Sequence, residues 1–165
     1  MNVAEQITRR LRSLLRLGVL IKSDSSGPVQ TLQVAVGGET LTDVEHLEPY
    51  GFTSKARSKV EVLLAALKGN PSHTVAVCVG DRKFRFRNLA GGEVAMYDDL
   101  GHLIHFKRDK MVVTAPAKIE LIAPNVEVVG DTTFTGTVTA NGKRIDETHT
   151  HNGVDPGAGN SGDVN

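Results

Sequence analysis

Tryptophan is absent from the 165 residues, and five phenylalanines and two tyrosines bring the aromatic share to only 4%. A core built on aromatic rings is therefore excluded. Val, Leu, Ile and Ala must supply the buried surface, which favours thin, repetitive packing over one large core. A single cysteine, Cys78, rules out an intrachain disulfide framework; within HTVAVCVGD it reads as a small buried apolar residue of a strand. Net charge is missing too, since 19 basic and 19 acidic residues cancel, so no global field recruits nucleic acid or an anionic membrane. The local exception is the first 22 residues, where Arg9, Arg10, Arg12, Arg16 and Lys22 face only Glu5. Long hydrophobic runs are also lacking. LRSLLRLGVLI is broken by Arg12 and Arg16, and the remaining piece, residues 17–21, is too short for a signal h-region or a membrane span. The expectation is synthesis in the cytoplasm, with any export performed by a machine that reads no N-terminal signal.

Four segments follow from the patterning of what is present. Val3, Ile7, Leu11, Leu14 and Leu15 fall at helical spacing among arginines, which predicts an amphipathic helix over residues 1–17. Residues 18–91 read as β. VQTLQVAV, the pair Gly37-Gly38 and ETLTDVEHL form a hairpin, and KVEVLLAAL, HTVAVCV and DRKFRFRN continue the sheet, the last with Phe84 and Phe86 on one face and Arg85 and Arg87 on the other. Five or so short strands in some 70 residues suggest a small OB-like barrel. Basic and aromatic alternation in DRKFRFRN fits a strand with Phe inside and Arg outside better than a platform for single-stranded nucleic acid.

Residues 92–145 differ in kind. After GEVAMYDDLGHLIHFKRDKMVV come Pro116 and Pro124, and then Gly130, Gly136 and Gly142 six apart. The pieces KIELIA, NVEVV, TTFT and TVTA are strands of four to six residues with one apolar face. Strands this short find no cover within one chain. Three copies winding around a common axis bury those faces and leave no long free edge. The fold class expected is all-β, an OB-like barrel followed by a trimeric, intertwined triple-stranded β-helix.

Residues 146–165 end this reading. His149 and His151 flank Thr150 and project to one side of a strand. In one chain such a pair is half a zinc site. In a trimer it becomes six imidazoles in two layers of three, an octahedral set suited to iron(II) or nickel and leaving no open position for substrate. The metal is then a structural staple, and the small polar residues 152–165 turn back along the last layers of the shaft. Near that tip, Asp146, Asp155 and Asp163 offer oxygens to calcium, and a threefold axis lined by backbone N–H or Lys offers a place for chloride.

An OB-like barrel, GEVAMYDDLGHLIHF at the passage into a Pro- and Gly-punctuated shaft, and HTHNGVDPGAGNSG at the end together resemble the baseplate assembly protein V family, the central spikes of contractile phage tails, in their Mu-type form. The resemblance covers essentially the whole chain. It implies a homotrimer made in the host cytoplasm and carried in the virion beneath the tail tube, held by baseplate hub proteins and driven through the host outer membrane when the sheath contracts. It also implies that His149 and His151 bind one iron ion per trimer.

Other functions fit less well. GNSG at residues 159–162 faintly resembles a serine protease nucleophile loop but has no scaffold to orient a base, and Asp98-Asp99 reads as a turn rather than a carboxylate dyad, so no enzyme is expected. His46 and His73 are isolated, and His102 and His105 point to opposite faces of a strand. A receptor-binding tail fibre, or the spike of a related contractile secretion machine, is the alternative. The fibre should end in a broader adhesive domain with exposed aromatics. An OB-type nucleic-acid binder ranks third, and no nucleic-acid partner is expected.

Overall fold

Residues 14–145 are described by a computed structural model of the chain. The alternation of strands begins at Leu15, earlier than helical spacing suggests. Strand β1 spans Leu15–Asp24, so residues 15–17 belong to the sheet and not to a helix; Leu14 is helical, and residues 1–13 of the predicted helix lie outside the described residues. The reason is tertiary. Leu15, Arg16 and Leu17 pair with Ala65, Leu64 and Leu63 of the strand that later closes the barrel, and a ladder of backbone bonds outweighs a local helical preference of a few tenths of a kcal/mol per residue.

Five strands close on themselves in the order β1-β2-β3-β5-β4, with β2 at Thr31–Val36, β3 at Glu39–His46, β4 at Glu61–Ala66 and β5 at Thr74–Gly80. This is the OB-like barrel expected. All contacts are antiparallel except β3 with β5. The β2–β3 hairpin turns on Gly37 and Gly38 with φ of 59° and 86°, the double positive φ that a type I′ turn requires. Inside, Leu20, Leu32, Val34, Val36, Val44, Val60, Val62, Leu64 and Ala76 form one aliphatic cluster. On β1 the inward positions run Arg16, Gly18, Leu20, and the guanidinium of Arg16 reaches Thr74 Oγ1 at 3.4 Å. Gly18 is obligatory in this packing. A Cβ there would lie 2.5 Å from Val34 Cγ1 and 2.9 Å from the Ala35 carbonyl oxygen.

Two local expectations are corrected. Cys78 is exposed, not buried. The register of β4 on β5 skips Val77, so Leu64 faces Ala76 while Leu63 faces Cys78; the bulge turns Cys78 outward with Leu63. DRKFRFRN is not a strand. Asp81 Oδ1 accepts from Lys83 N (2.8 Å) and Phe84 N (3.4 Å), a local turn that competes with any ladder. Phe84 and Phe86 are still half-buried, with Arg85 and Arg87 exposed.

A three-stranded meander follows, β6 at Val94–Tyr97, β7 at Leu103–Phe106 and β8 at Met111–Thr114, in the order β6-β7-β8. This stretch therefore has its own sheet within the chain, where the patterning suggested strands paired only between chains. The meander is fastened to the connector after β5 by a buried pair. Glu93 Oε2 accepts from Ala90 N at 3.0 Å and lies 3.1 Å from His105 Nε2. Phe86 meets the His105 ring edge-on at 5.2 Å and lies 6.3 Å from Tyr97.

Residues 120–145 belong to a separate unit. Its described ladder is the short hairpin of β9 (Thr139–Ala140) and β10 (Lys143–Arg144). Asn141 and Gly142 turn it with φ of 51° and 78°, the Asn-Gly form of the same turn. Among the described residues KIELIA, NVEVV and TTFT enter no ladder.

Two outcomes are expected. Gly18→Ala should cost about 1–3 kcal/mol by overpacking and Leu64→Ala about 2–5 kcal/mol by leaving a cavity, both read from denaturant melts of the barrel. The Ala90 amide, and secondarily His105, hold the Glu93 carboxyl below the ordinary glutamate value of 4.5 against the opposing effect of burial. A depressed folded-state pKa contributes stability above the unfolded value and loses it as pH falls through the folded one. Thermal stability should therefore drop on acidification below 4.5, and Glu93→Gln should flatten that drop while lowering stability at neutral pH.

Candidate functional surfaces

The metal-site candidates His149 and His151 lie outside the described residues, as do Asp146, Asp155, Asp163 and the GNSG loop. Among the described residues no group of three or more His, Cys, Asp or Glu is placed to hold a metal.

Of the remaining histidines, His46 and His102 hold loops in place. His46 is buried, and its Nδ1 lies 3.3 Å from Gln30 Oε1, while Gln30 Nε2 donates to the Ser54 carbonyl at 2.9 Å. Glu48 accepts from Ser54 N (2.7 Å) and Thr53 Oγ1 (3.0 Å) and stands 4.0 Å from His46 Nδ1. The loop from Leu47 to Ser54 is thereby stapled to the barrel, and it presents Tyr50 and Phe52 to solvent. His46 was expected to be isolated, but its inward position on β3 gives it a partner. His73 is exposed in the turn before β5. His102 Nδ1 lies 2.7 Å from Asp98 Oδ2, and Asp98 Oδ1 accepts from Leu100 N and His102 N, both at 2.9 Å. Burial raises the Asp98 pKa, but these bonds together outweigh it and hold the carboxyl below its ordinary value. Asp99 turns away to Arg57. Asp98 thus caps the turn while Asp99 pairs with Arg57, and no dyad forms.

The connector is equally committed. Phe84 carries Lys83 at 4.9 Å and Arg57 at 5.8 Å from its ring centroid, and Arg82 pairs with Glu61 at 2.7 Å. With Phe86 against His105, neither ring is left for stacking on a base.

What stands open is apolar. On the outer wall of the barrel Leu15, Leu17, Val19 and Ile21 are exposed in one alternating row of β1. In the repeat, Leu121, Ile122, Val126, Val128, Val129 and Phe134 are exposed, Ile122 by 93% and Val129 by 91%. Apolar surface left uncovered on this scale marks contact with other molecules. The helical reading of LRSLLRLGVLI concealed the β1 row. A period of two from Leu15 onward was the available signal.

Comparison with known proteins agrees with this architecture. The family described as Bacteriophage Mu Gp45, N-terminal, matches residues 18–83. That span lies within the barrel and the turn after it. The chain is 32% identical over 135 residues to the baseplate puncturing device gp45 of Escherichia phage Mu, a match spanning 80% of this chain and 68% of that protein. It is 25% identical over 162 residues to the Mu-like prophage FluMu protein gp45 of Haemophilus influenzae, spanning 93% of this chain and 88% of that one. With a closed five-stranded barrel where the family match falls, and similarity that continues well beyond it, the chain belongs to the Mu gp45 family of phage baseplate proteins.

Proposed function

We propose that this chain is the central spike of a contractile phage tail baseplate, acting as a homotrimer that pierces the host outer membrane when the sheath contracts. The observation that carries the reading is its similarity to a baseplate puncturing device over most of both chains. The structure adds a physical requirement. Among the described residues the repeat places its aliphatic side chains in solvent and pairs its backbone in the β9–β10 hairpin alone, so a stable form needs other copies to cover the one and pair the rest of the other. Three chains wound together as a triple-stranded β-helix meet both needs, and interchain ladders resist the compressive and shear loads of penetration. The work comes from contraction, so the role is mechanical and needs no catalytic group. Tail tube and hub proteins would hold the other end in the baseplate of the virion.

His149 and His151 would close the tip. Three chains supply six imidazole nitrogens, a donor set that fits one octahedral iron ion and leaves no position for chemistry on a substrate. Bound there, the metal supplies cross-linking: fraying of the point would require ligand bonds to break. Calcium on Asp146, Asp155 or Asp163, and chloride on the axis, belong to the same proposed tip.

Sedimentation of the full chain should show a trimer at micromolar concentration, and metal analysis one iron per three chains. A folded monomer would end the spike reading, and one metal per chain would show that the histidines do not meet on an axis. His149→Ala with His151→Ala should remove the metal yet leave the trimer assembled. Because imidazole must be neutral to ligate, iron should be retained at neutral pH and lost as pH falls below about 6, near the free imidazole value of roughly 6.5.

A further inference from the structure

The β9–β10 hairpin places an asparagine directly before a glycine at its tip, and both Asn141 and Gly142 are exposed, as are the strands Thr139–Ala140 and Lys143–Arg144 that flank them. Little holds the turn shut. Ala140 pairs with Lys143 and Thr139 with Arg144, and Ile145 N donates to the Val138 carbonyl at 3.0 Å. Among the described residues nothing hydrogen-bonds the Gly142 amide or the Asn141 carboxamide. A two-stranded hairpin of this length is marginally stable by itself, so the turn opens locally at small cost.

We infer that Asn141 is a site of spontaneous covalent modification, deamidation through a cyclic imide, and that one of the two products cannot keep the turn. The reacting groups are neighbours in the chain. The Gly142 nitrogen gives its proton to hydroxide and attacks Asn141 Cγ; the bond from Cγ to the side-chain nitrogen breaks, and that nitrogen takes a proton from water and leaves as ammonia. No oxidant or cofactor takes part. Water then opens the five-membered ring at one of its two carbonyls. Attack at the side-chain carbonyl gives aspartate with the original backbone, whereas attack at the main-chain carbonyl gives isoaspartate, whose backbone runs through Cβ and Cγ.

Glycine after the asparagine is what leaves the attacking nitrogen unhindered, because it carries no Cβ to crowd the closing ring. The other described asparagines lack this. Asn70 precedes Pro71, whose nitrogen bears no proton, and its Oδ1 accepts from Ser72 N at 3.1 Å. Asn88 precedes Leu89, and Asn125 precedes the β-branched Val126. The products differ in what they do to the hairpin. Its turn needs positive φ at both central residues, 51° at Asn141 and 78° at Gly142, and aspartate serves there as asparagine does, since Asp-Gly is a preferred pair of the same turn. Isoaspartate inserts one more carbon into the main chain, so Ala140 and Lys143 no longer meet in register.

The test is peptide mapping of the full-length wild-type protein, kept folded at mildly acidic and at alkaline pH. Cleavage at Lys143 and Arg144 separates Asn141 from Asn152-Gly153, the other Asn-Gly pair of the chain, which lies outside the described residues. The peptide ending at Lys143 should gain the mass of an amide-to-acid exchange, placed by fragmentation at Asn141. Its rate should be about tenfold above that at Asn88 or Asn125 and should rise in proportion to hydroxide. Part of the product should accept a methyl group from an isoaspartate methyltransferase, while freshly purified Asn141→Asp should melt as the wild type does and give no such signal on this peptide. An Asn141 that stays as intact as Asn125, or a product that is aspartate alone, would overturn the inference. The chemistry stands apart from the spike reading: a monomer that deamidates at Asn141 would end that reading and keep this one, and a trimer with Asn141 intact would do the reverse.

Discussion

The described structure depends on β1 satisfying both of its edges. It pairs with β2 through its second half and with β4 through its first, and only because both ladders form does a five-stranded sheet become a barrel with no free edge. The double pairing requires a close approach, which Gly18 permits by presenting no side chain to Val34 and the Ala35 carbonyl. A register shift between Leu20 and Lys22 lets the same strand bend from one neighbour to the other. The aliphatic interior follows from that closure. With so few aromatic residues in the chain, the core is made of Val, Leu and Ala side chains that fit a narrow barrel.

The same constraint, applied to the described residues after the meander, is met only by the short β9–β10 hairpin. Ile122 and Val129 are almost wholly exposed, and the predicted strands around them join no sheet among the described residues. A barrel that closes on itself and a repeat that does not are two answers to one problem, the pairing of backbone groups and the covering of apolar faces. In the proposed assembly the second answer has a use, because a shaft closed by other copies would be stiff along its length.

Aromatic residues are concentrated where the barrel gives way to the meander. Phe84 sits with Lys83 and Arg57, and Phe86 with His105 and Tyr97. A buried carboxylate–imidazole pair backs this small cluster. Polar pairs of this kind add specificity of orientation more than bulk stability, and here the orientation is that of the sheet that follows.

Much of the local structure was legible because its causes are local. Gly37-Gly38 and Asn141-Gly142 dictate turns whose positive φ other residues resist, and the alternation in TLQVAV, EVLLAA and TVAV marks strands with one buried face. The closed barrel could be inferred from the number and shortness of those strands, and the uncovered state of the repeat from strands with one apolar face and nothing to lay against it. Three features were decided only by residues distant in the chain. Leu15–Leu17 joined a strand because Leu63–Ala65 offered a ladder. Cys78 faced outward because a bulge opposite Leu63 shifted its phase, and His46 and His105 became structural because Gln30 and Glu93 were brought to them. Patterning records which residues need a partner; which partner meets that need is a property of tertiary packing, because hydrogen bonds and side-chain contacts act over a few ångströms of space whatever the separation along the chain.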